Sequence, residues 1–127
     1  MRGSPLTFSH MREIKFRAIK TGTIHFFYGS SLLNDSLYKN EIGLSDNHIG
    51  TFEMCKRETL GQFTGLSDKN GVEIYEGDIV ISDTILGKIV FNECQFQFNF
   101  DDDYVWIGTV NMYEVIGNIH QNPELLK

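Results

Sequence analysis

The sequence predicts a mainly β protein, and three observations lead to this fold class. Apolar and polar residues alternate with period two over residues 14–18 and 95–100, which places one face of a strand on a core and the other in water. Turn-forming residues recur at short intervals along the chain. Only two prolines interrupt it. The simplest architecture is therefore a small, partly open antiparallel barrel or curled sheet.

The first predicted elements are a hairpin and a long connection. Residues 14–18 and 24–28 are predicted strands, joined by a turn at 21–23, and Lys15 and Arg17 belong to the face that is predicted to lie in water. Between residues 29 and 50 the alternation fades and turn residues punctuate the chain. This stretch is predicted to be a long connection with one helical turn near residues 31–37.

The middle of the chain carries its clearest turn signal. Residues 51–62 fit either a short helix or a strand, and we interpret them as a strand. Asn70-Gly71 then lies between the extended segments 62–66 and 72–75, and both residues tolerate the positive φ of a tight hairpin turn. A second turn at 76–78 leads into a further strand at 79–81 and another over 88–91.

Residues 95–100 form the most regular strand pattern. Three phenylalanines alternate there with three amides, namely Phe96, Phe98, Phe100, Gln95, Gln97 and Asn99. The rings are predicted to face the core, and the amides are predicted to form a polar, uncharged outer face. An acidic turn at 101–103 leads into a returning strand at 104–110.

The C-terminal segment is predicted to hold a last strand and a short helix. The strand covers residues 113–119 and is broken by Gly117. Asn122 precedes Pro123, and asparagine is a favoured helix cap while proline suits the first helical position. These two residues predict a short C-terminal helix.

The first ten residues differ from the rest of the chain in their pattern of apolar and polar residues. Residues 1–10 mix Gly, Ser, Pro and Thr without an apolar period, whereas an alternating charged pattern begins at Met11. We expect residues 1–10 to be a tag or an upstream extension outside the fold. Residues 11–127 are then expected to form a single domain.

Composition and charge narrow the classes of function. The chain of 127 residues has a net charge of −6, which removes the broad cationic field that non-specific nucleic-acid or membrane-surface binding needs. Cys55 and Cys94 lack the C-x-x-C spacing of a redox or zinc site and are expected to be free thiols. The sequence shows no apolar run of membrane-helix length and no secretory apolar region, so a cytoplasmic protein is expected.

Four sequence blocks resemble the YopX family of phage and prophage proteins. They are MREIKFRA at 11–18, FTGLSDKNG at 63–71, IYEGDIV at 74–80, and EVIGNI with NPELL over 114–126. Ile19-Lys20 stands where the family commonly has Trp-Asp, and the central turn carries fewer lysines. The resemblance implies a small cytoplasmic protein from a phage genome or an integrated prophage. It implies no assigned activity and no catalytic residue.

The residues themselves show no motif for catalysis, a cofactor or a metal. The four histidines are scattered singly, and Cys94 has no neighbouring His or Lys that would lower its pKa. The acidic triplet at 101–103 is interpreted as a solvated loop rather than a magnesium site. The turn around Asn70 lacks two principal ligands of an EF-hand loop. We therefore expect no enzyme activity, no cofactor and no metal.

The expected function is that of a phage or prophage accessory module that binds proteins and self-associates. Its candidate interface consists of the amide face and the tryptophan that follows it, namely Gln95, Gln97, Asn99 and Trp106. The expected partners are other copies of the chain and a host or phage protein. The alternative is a small nucleic-acid-binding barrel in phage replication or regulation, because aromatic residues at 13% could stack on bases.

Removal of residues 1–10 tests the domain boundary. This segment contributes no periodic apolar residues to a core, so the shortened chain should keep the melting temperature of the full chain to within about 2 °C. Differential scanning calorimetry of both chains measures this. A loss of several degrees in the shortened chain would show that the segment is part of the fold.

Overall fold

The structure is a computed structural model that describes residues 13–34, 37–46, 51–108 and 112–127. Strands make up 57% of these described residues, so the mainly β prediction is confirmed. The elements in chain order are β1 (Phe16–Ile19), β2 (Phe26–Gly29), β3 (Ser31–Leu33), β4 (Glu41–Ser45), β5 (Glu53–Lys56), a 3-10 turn (Arg57–Thr59), β6 (Gly61–Ser67), β7 (Glu73–Tyr75), β8 (Asp78–Ser82), β9 (Ile85–Asn92), β10 (Gln95–Phe100), β11 (Asp103–Trp106), β12 (Tyr113–Asn118) and a 3-10 turn (Pro123–Leu126). The expected N-terminal extension, residues 1–10, lies outside the described residues.

The strands form three antiparallel sheets that are not closed into a barrel. Sheet I has the order β2-β1-β6-β7, sheet II the order β11-β10-β9-β8-β12, and sheet III the order β3-β4-β5. The hairpins predicted at 14–28 and around Asn70-Gly71 are present as β1–β2 and β6–β7. Gly71 adopts the positive φ of +83° that this turn requires. The strand preferred for 51–62 is also present, as β5 and the start of β6.

The segment 29–50 is not a connection, because it contains β3 and β4 of sheet III. Ser31–Leu33 pairs with residues 43–45 as an extended strand, so the predicted helical turn near 31–37 is wrong. Ile42 and Leu44 are buried, but the residue between them is Gly43, which is buried as well. Strands of three to five residues without polar alternation give no period-two signal, and this is why the prediction missed them.

The C-terminal helix is a single 3-10 turn, Pro123–Leu126, rather than an α-helix. Asn122 does not cap it with its side chain. Its Oδ1 atom accepts a hydrogen bond from the backbone N–H of Asn118 at 3.2 Å instead. The capping group is therefore committed to the end of β12. The predicted break at Gly117 is present as a shift of register between β12 and β8.

The core has two parts. The larger cluster lies mainly on sheet II and contains Ile74, Val80, Ile89, Phe96, Phe98, Ile107 and Tyr113. The smaller cluster joins sheets I and III through Ala18, Ile42, Leu44 and Cys55. At the contact between β2 and β4, Gly29 leaves no room for a side chain, because a Cβ there would collide with the carbonyl of Ser45. Sheets I and III therefore pack with their backbones close together.

A buried ion pair joins sheet I to sheet II. Arg17 Nη2 on β1 donates to Asp78 Oδ1 on β8 at 2.6 Å, and the two side chains are 8% and 2% exposed. Asp78 Oδ2 accepts from the backbone N–H of Tyr75 at 2.7 Å. Burial raises the pKa of Asp78, although the Arg17 cation and these hydrogen bonds oppose the shift. The carboxylate is thus held by two donors inside the protein.

A second buried carboxylate fastens the β6–β7 turn to β12. Asp68 Oδ1 accepts from the N–H groups of Asn70 and Val72, at 2.8 and 2.9 Å, and Oδ2 accepts from that of Val115 at 2.8 Å. Burial alone would raise the pKa of Asp68, but the three backbone hydrogen bonds outweigh it and lower the pKa below its ordinary value. The same side chain shapes the turn and ties it to sheet II.

The substitution Asp68→Asn tests this fastening. Asparagine keeps one oxygen for the turn, but its NH₂ group replaces the acceptor that faces the Val115 N–H. We expect a loss of about 1–3 kcal/mol in the free energy of unfolding, measured by urea denaturation at neutral pH. Asp102→Asn, in the exposed turn after β10, is the control and should change stability little.

The stability that Asp68 contributes should depend on pH. Folding lowers the pKa of Asp68, so its carboxylate stabilises the fold at pH values above its unfolded-state pKa of about 3.9. This stabilisation is lost as the pH falls through the lower pKa of the folded state. The variant should therefore lose less stability than the wild type between pH 5 and strong acid. Equal acid sensitivity of both proteins would contradict this assignment.

Candidate functional site

The hairpin β10–β11 presents the most exposed strand of sheet II. β11 is the edge strand of that sheet, and all four of its residues are exposed. Trp106 is 67% exposed, and Tyr104 and Val105 are also exposed. Exposed aromatic patches often mark interaction surfaces, because burying a large ring contributes more free energy to association than burying most other side chains. β11 lies outside the buried core.

The pairing of β10 with β11 brings three of the four predicted interface residues together. Gln97 lies opposite Trp106, and Asn99 lies opposite Tyr104. Directly paired residues of antiparallel strands share a face, so these four side chains lie on one side of the hairpin. We call Gln97, Asn99, Tyr104 and Trp106 the hairpin face. Gln95 lies further along β10, where it lines a cavity with Trp106.

The amides of β10 do not all face solvent as predicted. Phe96 and Phe98 are buried, which confirms the inward direction of those two rings, but Gln97 is fully buried as well and Asn99 and Gln95 are half-buried. β10 is flanked by β9 and β11, and Gln97 pairs with Val90 on one side and Trp106 on the other. A central strand is thus covered on the face that the alternation assigned to water.

Two amide oxygens on this face are buried without a hydrogen-bond donor. Gln97 Nε2 donates to the carbonyl of Asn92 at 3.3 Å, but Gln97 Oε1 and Asn99 Oδ1 have no partner within the described part of the chain. A buried acceptor without a donor costs about 1–3 kcal/mol. Most buried polar groups in proteins are paired, so two such atoms two residues apart are an unusual feature.

Two cavities flank the hairpin. The first has a volume of about 290 Å³ and is lined by Thr64, Leu66, Phe91, Cys94, Gln95, Phe96, Trp106, Ile107 and Gly108. The second is open, has a volume of about 670 Å³, and has Lys88, Asn99, Phe100 and Asp101 among its lining residues. Polar groups such as Thr64 and Gln95 lie among the apolar and aromatic residues of the first cavity, whereas Lys88 and Asp101 give the second charges of both signs.

Charges of opposite sign border the hairpin face. The turn between β10 and β11 contributes the acidic residues Asp101, Asp102 and Asp103, all exposed. Lys88 on β9 pairs with Asn99, so its ammonium group lies on the same side of the sheet as the hairpin face. Among the described residues, Lys88 forms no ion pair. The surface is thus acidic at one border and carries a free cation at another.

The sequence did not reveal Arg17 as a buried residue. It belongs to the face of the first strand that was predicted to lie in water, yet it is buried against Asp78. Its guanidinium lies over the rings of Phe26 and Tyr75, at 4.3 and 4.8 Å from the ring centres. Asp78 is 61 residues away, so no local spacing pointed to the pair. A cavity of about 240 Å³ lies beside them.

The remaining titratable groups do not assemble a catalytic or metal site in the part of the chain that is described. No group of three or more His, Cys, Asp and Glu side chains there is placed to hold a metal ion. Both cysteines are free; burial raises the pKa of the Cys55 thiol to about 11, and Cys94 is exposed. Burial and the nearby Arg17 lower the pKa of His120. No helix among the described residues is long and apolar enough to span a membrane.

Fold and site together define a small antiparallel β protein with open sheets, a buried arginine–aspartate pair and an exposed aromatic hairpin. The model of the YopX protein family matches residues 15–127, so the chain belongs to the YopX family, and the resemblance seen in the sequence is confirmed. This family is not a known enzyme family.

A solved structure shares the fold. The crystal structure of protein EF1440 from Enterococcus faecalis is 30% identical in sequence to this chain, with a TM-score of 0.63. The alignment covers 92% of this chain and 100% of that one. No curated protein matches the sequence.

Gln97→Met tests whether the buried amide oxygen lacks a donor in the folded chain. Methionine has nearly the same shape and removes the unpaired acceptor together with the Nε2 hydrogen bond to Asn92, so the two effects oppose each other and the free energy of unfolding should change by less than about 1 kcal/mol. Urea denaturation of dilute protein measures this, with Gln95→Met as the control. A loss of more than about 2 kcal/mol would exceed the contribution of that one hydrogen bond and would show that Gln97 Oε1 is also hydrogen-bonded in the monomer.

Proposed function

We propose that the chain is a phage- or prophage-derived accessory module that acts by protein–protein contact in the cytoplasm, without catalysis. Its partner across the hairpin face is a second copy of the same chain, and a host or phage protein is the further partner class. The observation that carries the proposal is the exposed pair Trp106 and Tyr104 on the edge strand β11. A partner seated on this face would cover both rings, whereas the unpaired oxygens of Gln97 and Asn99 lie beneath the surface and out of its reach.

The aromatic residues supply the attraction in this interface. Tyrosine and tryptophan are enriched at protein interfaces, where they bury a large area at a small cost in conformational entropy. Trp106 and Tyr104 are separated by one residue on the same face, so both can be covered by one partner surface. Their exposure in the isolated chain leaves this apolar area available for association.

The composition of the hairpin face favours a second copy over a different partner. In a twofold dimer the same patch meets itself, so Trp106 and Tyr104 of one copy can cover the same rings of the other. The four residues of the hairpin face carry no charge, so this contact would bury none.

The bordering charges fit the same arrangement. An antiparallel twofold apposition moves the acidic turn at 101–103 of one copy away from that of its partner, so the two groups of carboxylates would not repel each other. Lys88 pairs with Asn99 and therefore lies at the same end of the hairpin as its own acidic turn. Rim charges of this kind set the orientation of two copies more than their affinity.

Nucleic acid is the disfavoured alternative partner. Exposed rings can stack on bases, but the acidic turn at 101–103 directly precedes Tyr104 and the whole chain carries a charge of −6. Each phosphate near these carboxylates would be repelled rather than neutralised. The same surface is therefore better suited to a protein partner.

Sedimentation velocity over a range of micromolar concentrations tests the proposal. The wild-type chain is expected to form a reversible dimer, and Trp106→Glu is expected to be monomeric because a carboxylate would have to be buried in the contact. Tyr38→Glu is the matched control, since Tyr38 is an exposed aromatic residue outside sheet II, and it should dimerise like the wild type.

Two results would contradict the proposal. One is a wild-type chain that stays monomeric up to hundreds of micromolar protein. The other is salt-sensitive, sub-micromolar binding of labelled single-stranded DNA or RNA that Trp106→Glu abolishes, which would move the nucleic-acid alternative to first place.

A further inference from the structure

The cavity beside the Arg17–Asp78 pair is separate from the hairpin face and suggests a second kind of ligand. It is lined by Arg17, Tyr28, Val72, Glu73, Tyr75, Asp78 and Val115. We propose that it binds a small, neutral, planar molecule whose edge presents a carbonyl oxygen next to an N–H group, as in a carboxamide or a pyrimidine base. No residue of the hairpin face lines it, so it does not depend on self-association.

Arg17 has hydrogen-bonding capacity that the protein leaves unused. A guanidinium carries five N–H donors, and within the described residues Arg17 donates one side-chain hydrogen bond, to Asp78 Oδ1. Its guanidinium lies over the rings of Phe26 and Tyr75, and Arg17 is one of the residues that line the cavity. The N–H donors of a guanidinium lie in its plane, and such an edge recognises an in-plane acceptor such as a carbonyl oxygen.

Glu73 supplies an acceptor in the same cavity. Its two carboxylate oxygens accept from Lys15 Nζ at 2.9 and 2.8 Å, and Oε1 also accepts from the Tyr75 hydroxyl at 3.5 Å. A carboxylate offers about four lone-pair sites, so capacity remains for one ligand N–H. Arg17 as donor and Glu73 as acceptor thus match the two adjacent groups of an amide edge.

The charges around the cavity favour a neutral ligand over an anion. Two cations, Arg17 and Lys15, face three carboxylates in three ion pairs: Arg17 with Asp78, and Lys15 with Glu73 and Glu13. A bound carboxylate or phosphate would add a charge without a counter-ion in a partly desolvated site, which is costly. A neutral molecule gains the hydrogen bonds without that cost.

The size and walls of the cavity favour a single ring. Its volume of about 240 Å³ lies below the roughly 300–1,000 Å³ of sites for drug-sized ligands. Val72 and Val115 provide aliphatic surface, and Tyr28 meets Tyr75 edge-to-face with ring centres 5.5 Å apart. Aromatic and aliphatic walls of this kind pack against a planar body.

The test is a titration of the full ¹⁵N-labelled chain followed by NMR through the Arg17 Nε–H signal. Uracil and benzamide are the probes, and benzoate is the anionic counterpart of benzamide. Val72→Phe fills the cavity and leaves the Arg17–Asp78 pair in place, because Val72 is 47% exposed. Ile116→Phe, at an exposed position on β12 that does not line the cavity, is the matched control.

Uracil, benzamide or both are expected to shift the Arg17 Nε–H signal saturably in the wild type and in Ile116→Phe, with loss of the effect in Val72→Phe. Binding of uracil alone would indicate that the ligand is a pyrimidine base, and binding of benzamide alone would indicate that it is a carboxamide. The proposal is overturned if neither probe shifts the signal, if Val72→Phe binds as well as the wild type, or if benzoate binds more tightly than benzamide.

Discussion

The ion pair between Arg17 and Asp78 is the contact on which the arrangement of the sheets depends. Taking both charges out of water costs several kcal/mol each, and the geometry must offset that cost. Here both oxygens of Asp78 accept hydrogen bonds, and aromatic rings lie over the guanidinium. The turn before Asp78 extends the junction, because the N–H of Gly77 donates to Ile89 and its carbonyl accepts from Ile119. Sheet I is thereby fixed against sheet II.

The hairpin face is exposed because sheet II is open and ends at β11. A closed barrel would have paired β11 on both sides, whereas here it is an edge strand that extends beyond the core. Edge strands invite uncontrolled pairing, and proteins commonly blunt them with charged groups. Asp103 occupies one backbone donor of β11, since its Oδ1 accepts from the N–H of Tyr104 at 2.8 Å. The proposed surface for a partner is the aromatic face rather than this backbone edge.

Local patterns predicted the parts of the fold that local chemistry determines. The turn at Asn70-Gly71 and the rings of Phe96 and Phe98 were predicted correctly, because φ preferences and period-two burial act within a few residues. β3 and β4 were missed because they are short and lack polar alternation. Gln97 and Arg17 were placed in water because their burial depends on distant strands, which period-two alternation does not describe. The sequence therefore indicated the candidate surface but not which of its polar groups are buried.

A double-mutant cycle on Arg17 and Asp78 tests the central claim, with Arg17→Met, Asp78→Asn and the combined variant compared by denaturant unfolding at neutral pH. Each single change leaves an unpaired buried partner and should cost about 3–5 kcal/mol. The combined variant should cost less than the sum of the two by at least about 2 kcal/mol, because neither charge is then left alone. Losses that add to within about 0.5 kcal/mol would contradict the account, since the two side chains would then stabilise the fold independently.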